Sequence, residues 1–204
     1  GVDTERFHGA VELFSQWRDP ARVNLLFVGR LDPRKGIDVL IAAMPEILER
    51  TGNRARLLIV GDSYLRPRFE AAVPAAARPH VHFLGHVPSA QLPRWYATGD
   101  IFISPASGQE SFGIVLLEAM AATRLVVASD IPGYRSVIET DEDGVLVPPG
   151  DTHALAAALA ALLRDPARRL ALAARGRARA ETFGWDRIAA RLEAYYDEVR
   201  AAAG

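Results

Sequence analysis

The 204-residue sequence has no cysteine, a single lysine, two methionines and no long apolar run. Without cysteine there is no disulfide framework, thiolate metal site or cysteine nucleophile, and the chain needs no oxidising compartment. A cytoplasmic setting is the expectation. The richest apolar stretch, Phe112 to Ala122, is broken by Glu118 and falls short of the roughly 18 to 20 residues of a membrane span. An excess of charge of one sign is missing too: 24 basic residues face 25 acidic ones, with arginines scattered from Arg6 to Arg200. That balance argues against a nucleic-acid or anionic-membrane surface as the main role of the chain. With 50% hydrophobic residues the chain can bury an ordinary core, and a single domain over 1–204 is expected. The sequence opens Gly-Val-Asp rather than on Met, which suggests a segment of a longer protein.

Short apolar runs alternate with longer helical patterns. The strand candidates are Asn24–Val28, Leu57–Val60, Val81–Leu84, Ile101–Ser104, Leu125–Ala128 and Val145–Val147. Between them Ile37–Arg50 places Ile37, Leu40, Ile41, Met44, Ile47 and Leu48 on one helical face, although Pro45 would interrupt many helices. Six such alternations predict a doubly wound α/β fold with a parallel, Rossmann-like sheet. In that architecture ligands bind beyond the carboxyl ends of the strands. After Pro148-Pro149-Gly150, Asp151 should cap a helix through about Arg164, Asp165-Pro166 should start another, and Asp186 can cap a third through Tyr195-Tyr196. These Ala- and Arg-rich helices read as packing on the sheet with a solvated basic face.

The strand Asn24–Val28 runs through Gly29-Arg30-Leu31-Asp32-Pro33-Arg34-Lys35-Gly36 and then directly into a helix. Glycines let a ligand approach the backbone, the helix end offers free N–H groups, and Arg30 and Lys35 can neutralise a diphosphate. The glycine spacing and the missing Lys-Ser/Thr ending exclude a Walker loop. Lys35 is the one lysine among 24 basic residues, and a compact ammonium is not interchangeable with a planar guanidinium. A solvated basic loop with a lysine placed by chance is the alternative.

A sharper signal follows Ile101–Ser104. Glu110 stands just before a helix whose first N–H groups, near Phe112, Gly113 and Ile114, point at any ligand above the sheet. Glu118 lies among Ile114, Val115, Leu116, Leu117, Ala119 and Met120, with no polar face to occupy. A buried carboxylate needs hydrogen-bond donors or a cation. Glu118 is therefore either a structural salt bridge to an arginine or an acceptor for ligand hydroxyls. Two weaker sites complete the rim. Gly85-His86-Val87-Pro88 can lay its backbone against a base, although His86 reads more readily as a loop residue than as a chemical group, and Gly61-Asp62-Ser63 is a generic strand-to-helix turn. Asp141-Glu142-Asp143 has metal-like spacing but precedes Gly144 and a short strand, so it reads as a turn with solvated carboxylates and no metal is assigned.

Together these residues resemble the donor-binding, C-terminal half of a GT-B glycosyltransferase of retaining family 4. Gly1-Val-Asp…Phe7 is similar to the inter-domain segment, placed over about 1–20; Val28-Gly-Arg30…Lys35-Gly to the diphosphate loop; and Glu110-Ser-Phe-Gly…Leu-Glu118-Ala-Met to the family's Glu-x7-Glu motif. The resemblance implies that Glu110 and the amides of Ser111 to Ile114 hold the donor sugar, that Glu118 holds the ribose, and that Arg30 and Lys35 beside Gly29 grip the diphosphate. Glu110, Arg30 and Lys35 are the implied catalytic residues, and His86 and Val87 the implied base contacts. It further implies metal-independent donor binding without a cofactor, retention at the anomeric carbon, and a glycan or lipid acceptor held by an N-terminal half to which the helix at about 185–201 would reach back. Peripheral membrane contact would come through that longer enzyme. The run from Ser111 to Ala122 followed by Val126-Val127-Ala128-Ser129-Asp130 is most similar to the phosphatidylinositol mannosyltransferases, which implies GDP-mannose. Thr123-Arg124-Leu125 replaces the family's helix-ending glycine, and Asp130-Ile-Pro-Gly133-Tyr its usual Gly-Gly-x-Pro-Glu turn. Other readings are a UDP-sugar enzyme, a non-enzymatic nucleotide-sugar-binding module, or a GT-B epimerase or phosphorylase. Against the phosphorylase, the one lysine sits in the diphosphate loop rather than at a pyridoxal site.

Overall fold

The computed structural model describes residues 1–202. Six parallel strands form one sheet: β1 (Val23–Val28), β2 (Ala55–Val60), β3 (Val81–Gly85), β4 (Ile101–Ser104), β5 (Leu125–Ser129) and β6 (Val145–Val147), in the order β3-β2-β1-β4-β5-β6. The helices are α1 (Ile37–Thr51), α2 (Arg66–Ala72), α3 (Leu92–Thr98), α4 (Ile114–Ala121), the short α5 (Pro132–Arg135), α6 (Thr152–Arg164), α7 (Pro166–Glu181) and α8 (Trp185–Ala202).

The sheet is apolar on both faces, which is why its strands read as continuous rather than alternating runs. Leu25, Phe27, Leu57, Ile59, Ile101 and Ile103 point to one side, under α1 and α6. Leu26, Leu58, Val60, Phe102, Val126 and Ala128 point to the other, under α3 and α4. The chain winds outward in both directions from the neighbours β1 and β4, so a crevice opens between the carboxyl ends of these two strands.

The fully buried residues account for the element types. In α1, Ile37, Leu40, Ile41, Met44 and Ile47 are inaccessible, and the helix runs unbroken through Pro45 to Thr51, one residue beyond the expected end. Asp151 accepts from the Ala154 amide at 2.8 Å and Asp165 from the Arg168 amide at 2.9 Å, which starts α6 and α7 where expected. Two local expectations are corrected. Asp186 is no N-cap: α8 already includes Trp185, and Asp186 sits in its first turn, where its charge still favours the positive helix end. The Gly29–Gly36 loop passes directly into α1 at Ile37 as expected, and within it Asp32 accepts from the Arg34 amide and caps a 3₁₀ turn over Pro33–Lys35. The second strand begins at Ala55, two residues earlier than Leu57, and takes in Arg56. That charge is accommodated because its guanidinium donates to Asn24 Oδ1 at 2.7 and 2.9 Å, donates to the Trp17 carbonyl, and lies over the Trp17 ring.

Candidate functional site

Two loops meet at the crevice. Gly36 adopts φ +70°, and a Cβ there would stand 1.8 Å from the Pro105 carbonyl oxygen, so only glycine lets the loop after β1 lie against the loop after β4. The Ser107 amide donates to the Arg34 carbonyl at 3.0 Å, and Arg34 reaches Gln109 Oε1 at 3.4 Å. Across this seam Lys35 Nζ and Glu110 Oε1 form an ion pair at 2.6 Å. The lone lysine and the first motif glutamate, 75 positions apart in the sequence, are thus direct partners.

Arg30 is largely exposed and pairs with Asp32 at 3.2 Å, and Arg34 binds the same carboxylate at 3.1 Å. The hydrogen bonds from Arg34, with a smaller contribution from Arg30, hold the Asp32 carboxyl down at about 2. The loop therefore carries three cations with one internal anion, and Lys35 borrows a second from Glu110. Gly29 abuts Gly61, where a Cβ would meet the Gly29 oxygen at 1.8 Å. Beside it a cleft of about 360 Å³ is lined by Gly29, Arg30, Gly61, His86 and Val87, with His86 exposed and Val87 half-buried.

Glu110 is followed by exposed Ser111, half-buried Phe112 and Gly113. Phe112 turns its ring edge-on to Phe183, with centroids 5.7 Å apart, and packs against the core. Gly113 (φ +77°) is the N-cap of α4, whose Leu116 amide already donates to the Gly113 carbonyl at 2.9 Å, so the open amides of the first turn are those of Ile114 and Val115. The Ile114 side chain is exposed. Beneath, Tyr134 fixes the geometry: its ring closes on Gly113, and its hydroxyl shares a 2.7 Å hydrogen bond with Ser104 at the end of β4. Burial pushes the Tyr134 phenol up to about 12. The replaced turn is a tight support, since a Cβ on Gly133 would stand 2.0 Å from the Glu110 carbonyl oxygen.

Glu118 is half-buried, one helical turn after Ile114. Of the two expectations, the salt bridge is not formed: among the described residues no arginine pairs with Glu118. Instead the fully buried Tyr96 of α3 donates to Glu118 Oε2 at 2.7 Å. Burial raises the Glu118 carboxyl above its ordinary value, opposed by the Tyr96 hydrogen bond and by the charge of Arg6, while burial and the Glu118 charge push the Tyr96 phenol well up. Arg6 is itself anchored, donating to Ser89 Oγ at 2.7 Å. Tyr96, Tyr134, Asp32, Gln109 and Arg6 were not readable as site residues. The one available signal was general: a buried Tyr must find a partner for its hydroxyl. The acidic turn is occupied by protein contacts: Asp141 pairs with Arg168 at 2.6 Å, and Asp143 accepts from the Glu139 amide at 2.8 Å and faces Arg179 at 3.8 Å.

Residues 22–165 match the family model described as glycosyl transferases group 1. Over 203 residues the chain is 38% identical to a phosphatidyl-myo-inositol mannosyltransferase of Mycolicibacterium smegmatis, covering 99% of this chain and 51% of that protein. It is 34% identical to a GDP-mannose-dependent alpha-(1-6)-phosphatidylinositol monomannoside mannosyltransferase of Mycobacterium tuberculosis, covering 94% and 53%. Sucrose-phosphate synthase from Thermosynechococcus elongatus superposes with a TM-score of 0.85 at 33% identity, covering 99% of this chain and 52% of that one. The chain spans about half the length of the curated relatives it matches. With its Rossmann-like sheet and its paired Glu110 and Glu118, the chain belongs to the group 1 glycosyltransferases of the GT-B fold.

Proposed function

We propose that this chain is the donor-binding half of a retaining glycosyltransferase that moves a hexose, mannose from GDP-mannose, to a lipid or glycan acceptor held elsewhere in the enzyme. The observation that carries the reading is the 2.6 Å pair between Lys35 and Glu110 at the mouth of the crevice, beside the open amides of α4. A diphosphate laid on the Gly29–Gly36 loop takes Lys35 and Arg30 as counter-ions. Glu110, released from Lys35, then accepts from hydroxyls of the donor sugar, while the amides over Phe112 to Ile114 stabilise its oxygens. Glu118, held in place by Tyr96, accepts from the ribose hydroxyls, and the base lies along Gly85–Val87. As the bond to the diphosphate breaks, the growing negative charge meets Arg30, Lys35 and a helix N-terminus, so the reading calls for no metal or cofactor. Mannose is favoured by the names of both mannosyltransferase relatives, and guanine by that of the GDP-mannose-dependent one.

The exposed apolar residues of α8, Trp185, Leu192, Tyr195, Tyr196 and Val199, fit a helix covered by the acceptor-binding half. No helix among the described residues is long and apolar enough to cross a membrane. The reading is tested by calorimetry of the chain with GDP, UDP and their sugars. GDP and GDP-mannose should bind more tightly than the uridine pair, with no transfer to acceptor. Absence of binding by all four would refute it.

A further inference from the structure

The opposite edge of the sheet carries a second concentration of cations. A cavity of about 490 Å³ opens at the amino ends of β1, β4 and β5, one strand length, about 20 Å, from the donor rim. Five arginines line it against two aspartates. The aspartates are already engaged: Asp19 pairs with Arg22 at 3.4 Å, and Asp100 accepts from the Asn24 amide at 2.7 Å. Of the remaining arginines, Arg54 donates to the Leu163 carbonyl at 3.3 Å, and Arg18 is exposed. Arg124 is half-buried and donates from Nε to the Ala122 carbonyl, and burial lowers its pKa with Asp100 as the opposing charge. Arg169, reaching in from α7, has a buried NH1 with no hydrogen-bond partner among the described residues. With both aspartates engaged, the arginines lining this cavity keep N–H groups to spare, which an outside anion can take as its donors.

We propose that this cavity is a second anion site, in which Arg124, Arg169 and Arg18 take the phosphate group of a small phosphorylated molecule. A tetrahedral dianion suits it better than a carboxylate peptide, since its oxygens can be shared among several guanidinium forks, each able to take a pair. The site lies on the face away from the donor rim, so both can be filled at once.

Calorimetric titration with inorganic phosphate and with glycerol 3-phosphate tests this, using the Lys35→Gln variant so that the donor loop contributes little. Saturable binding should persist in that background. Arg124→Gln and Arg169→Gln should each weaken it about tenfold, the loss expected for one charged hydrogen-bonding partner. Arg18→Glu, at an exposed position on which folding does not depend, should weaken it as well. Arg169→Gln should also unfold at no lower temperature than the parent, because it removes a buried N–H without a partner among the described residues. The proposal is overturned if neither probe saturates, if an acidic peptide binds where phosphate does not, or if the arginine variants leave the affinity unchanged.

Discussion

At Glu118 a carboxylate is held away from water with one neutral donor, the Tyr96 hydroxyl at 2.7 Å, and the sign of its titration follows. Burial raises its folded pKa above the ordinary 4.5, so the folded chain keeps the proton where the unfolded chain has lost it. This group's contribution to stability is therefore most favourable below 4.5 and declines as pH rises through the raised pKa. Ribose hydroxyls donating to the charged form reverse that preference. Nucleotide affinity should rise with pH through the window just above 4.5 and then level off, with a proton released on binding inside that window. Glu118→Gln should abolish this pH dependence and weaken GDP binding about tenfold without loss of thermal stability, as read by calorimetry at several pH values and a thermal melt. Unfolding of that variant with unchanged affinity would make the residue structural. The anomaly of one acid in an apolar helix was visible in the sequence, but Tyr96, 22 residues earlier, was not. Which hydroxyl meets a buried carboxylate is decided by how α3 packs on α4, and no local pattern encodes that.

The end of α4 and the start of α1 show how single backbone positions set the site. The Arg124 and Thr123 amides donate to the Ala119 and Met120 carbonyls, each at 2.9 Å, closing a Schellman turn with Thr123 at φ +57°. A β-branched residue is strained there. Thr123→Gly should therefore stabilise the chain by about 1 kcal/mol and raise the melting temperature by about 3 °C. Gly36 is the opposite case. Gly36→Ala combines a positive φ with a clash into the Pro105 carbonyl and should cost more than about 3 kcal/mol in urea unfolding. Gly52→Ala, at a similar φ of +60° but in open space, should cost only about 1 kcal/mol. Strands and capped helices were legible because a buried parallel sheet writes itself as short apolar runs and Asp151 and Asp165 mark helix starts. The 3₁₀ turn at Pro33–Lys35 was not, because it depends on Asp32 choosing the Arg34 amide over solvent.

Across the whole molecule, the sheet order brings β1 and β4 side by side and so joins loops far apart in sequence. The Lys35 and Glu110 motifs were each legible alone, and so was their place after strands. Their mutual contact emerges only from the crossover. It also makes the ligand-free rim nearly self-neutral, with Lys35 on Glu110 and Arg30 and Arg34 on Asp32. On the proposed function, an entering diphosphate displaces Glu110 from Lys35, which frees that carboxylate for the sugar. Loss of Lys35 should therefore weaken diphosphate-bearing ligands far more than the bare nucleoside. The most direct measurement is a GDP-mannose titration followed by backbone amide shifts, in the parent chain and in Lys35→Gln. The account predicts saturable shifts confined to residues 29–36, 85–87 and 110–118, with affinity reduced about tenfold in the variant. Shifts centred elsewhere, or the same affinity without Lys35, would contradict it.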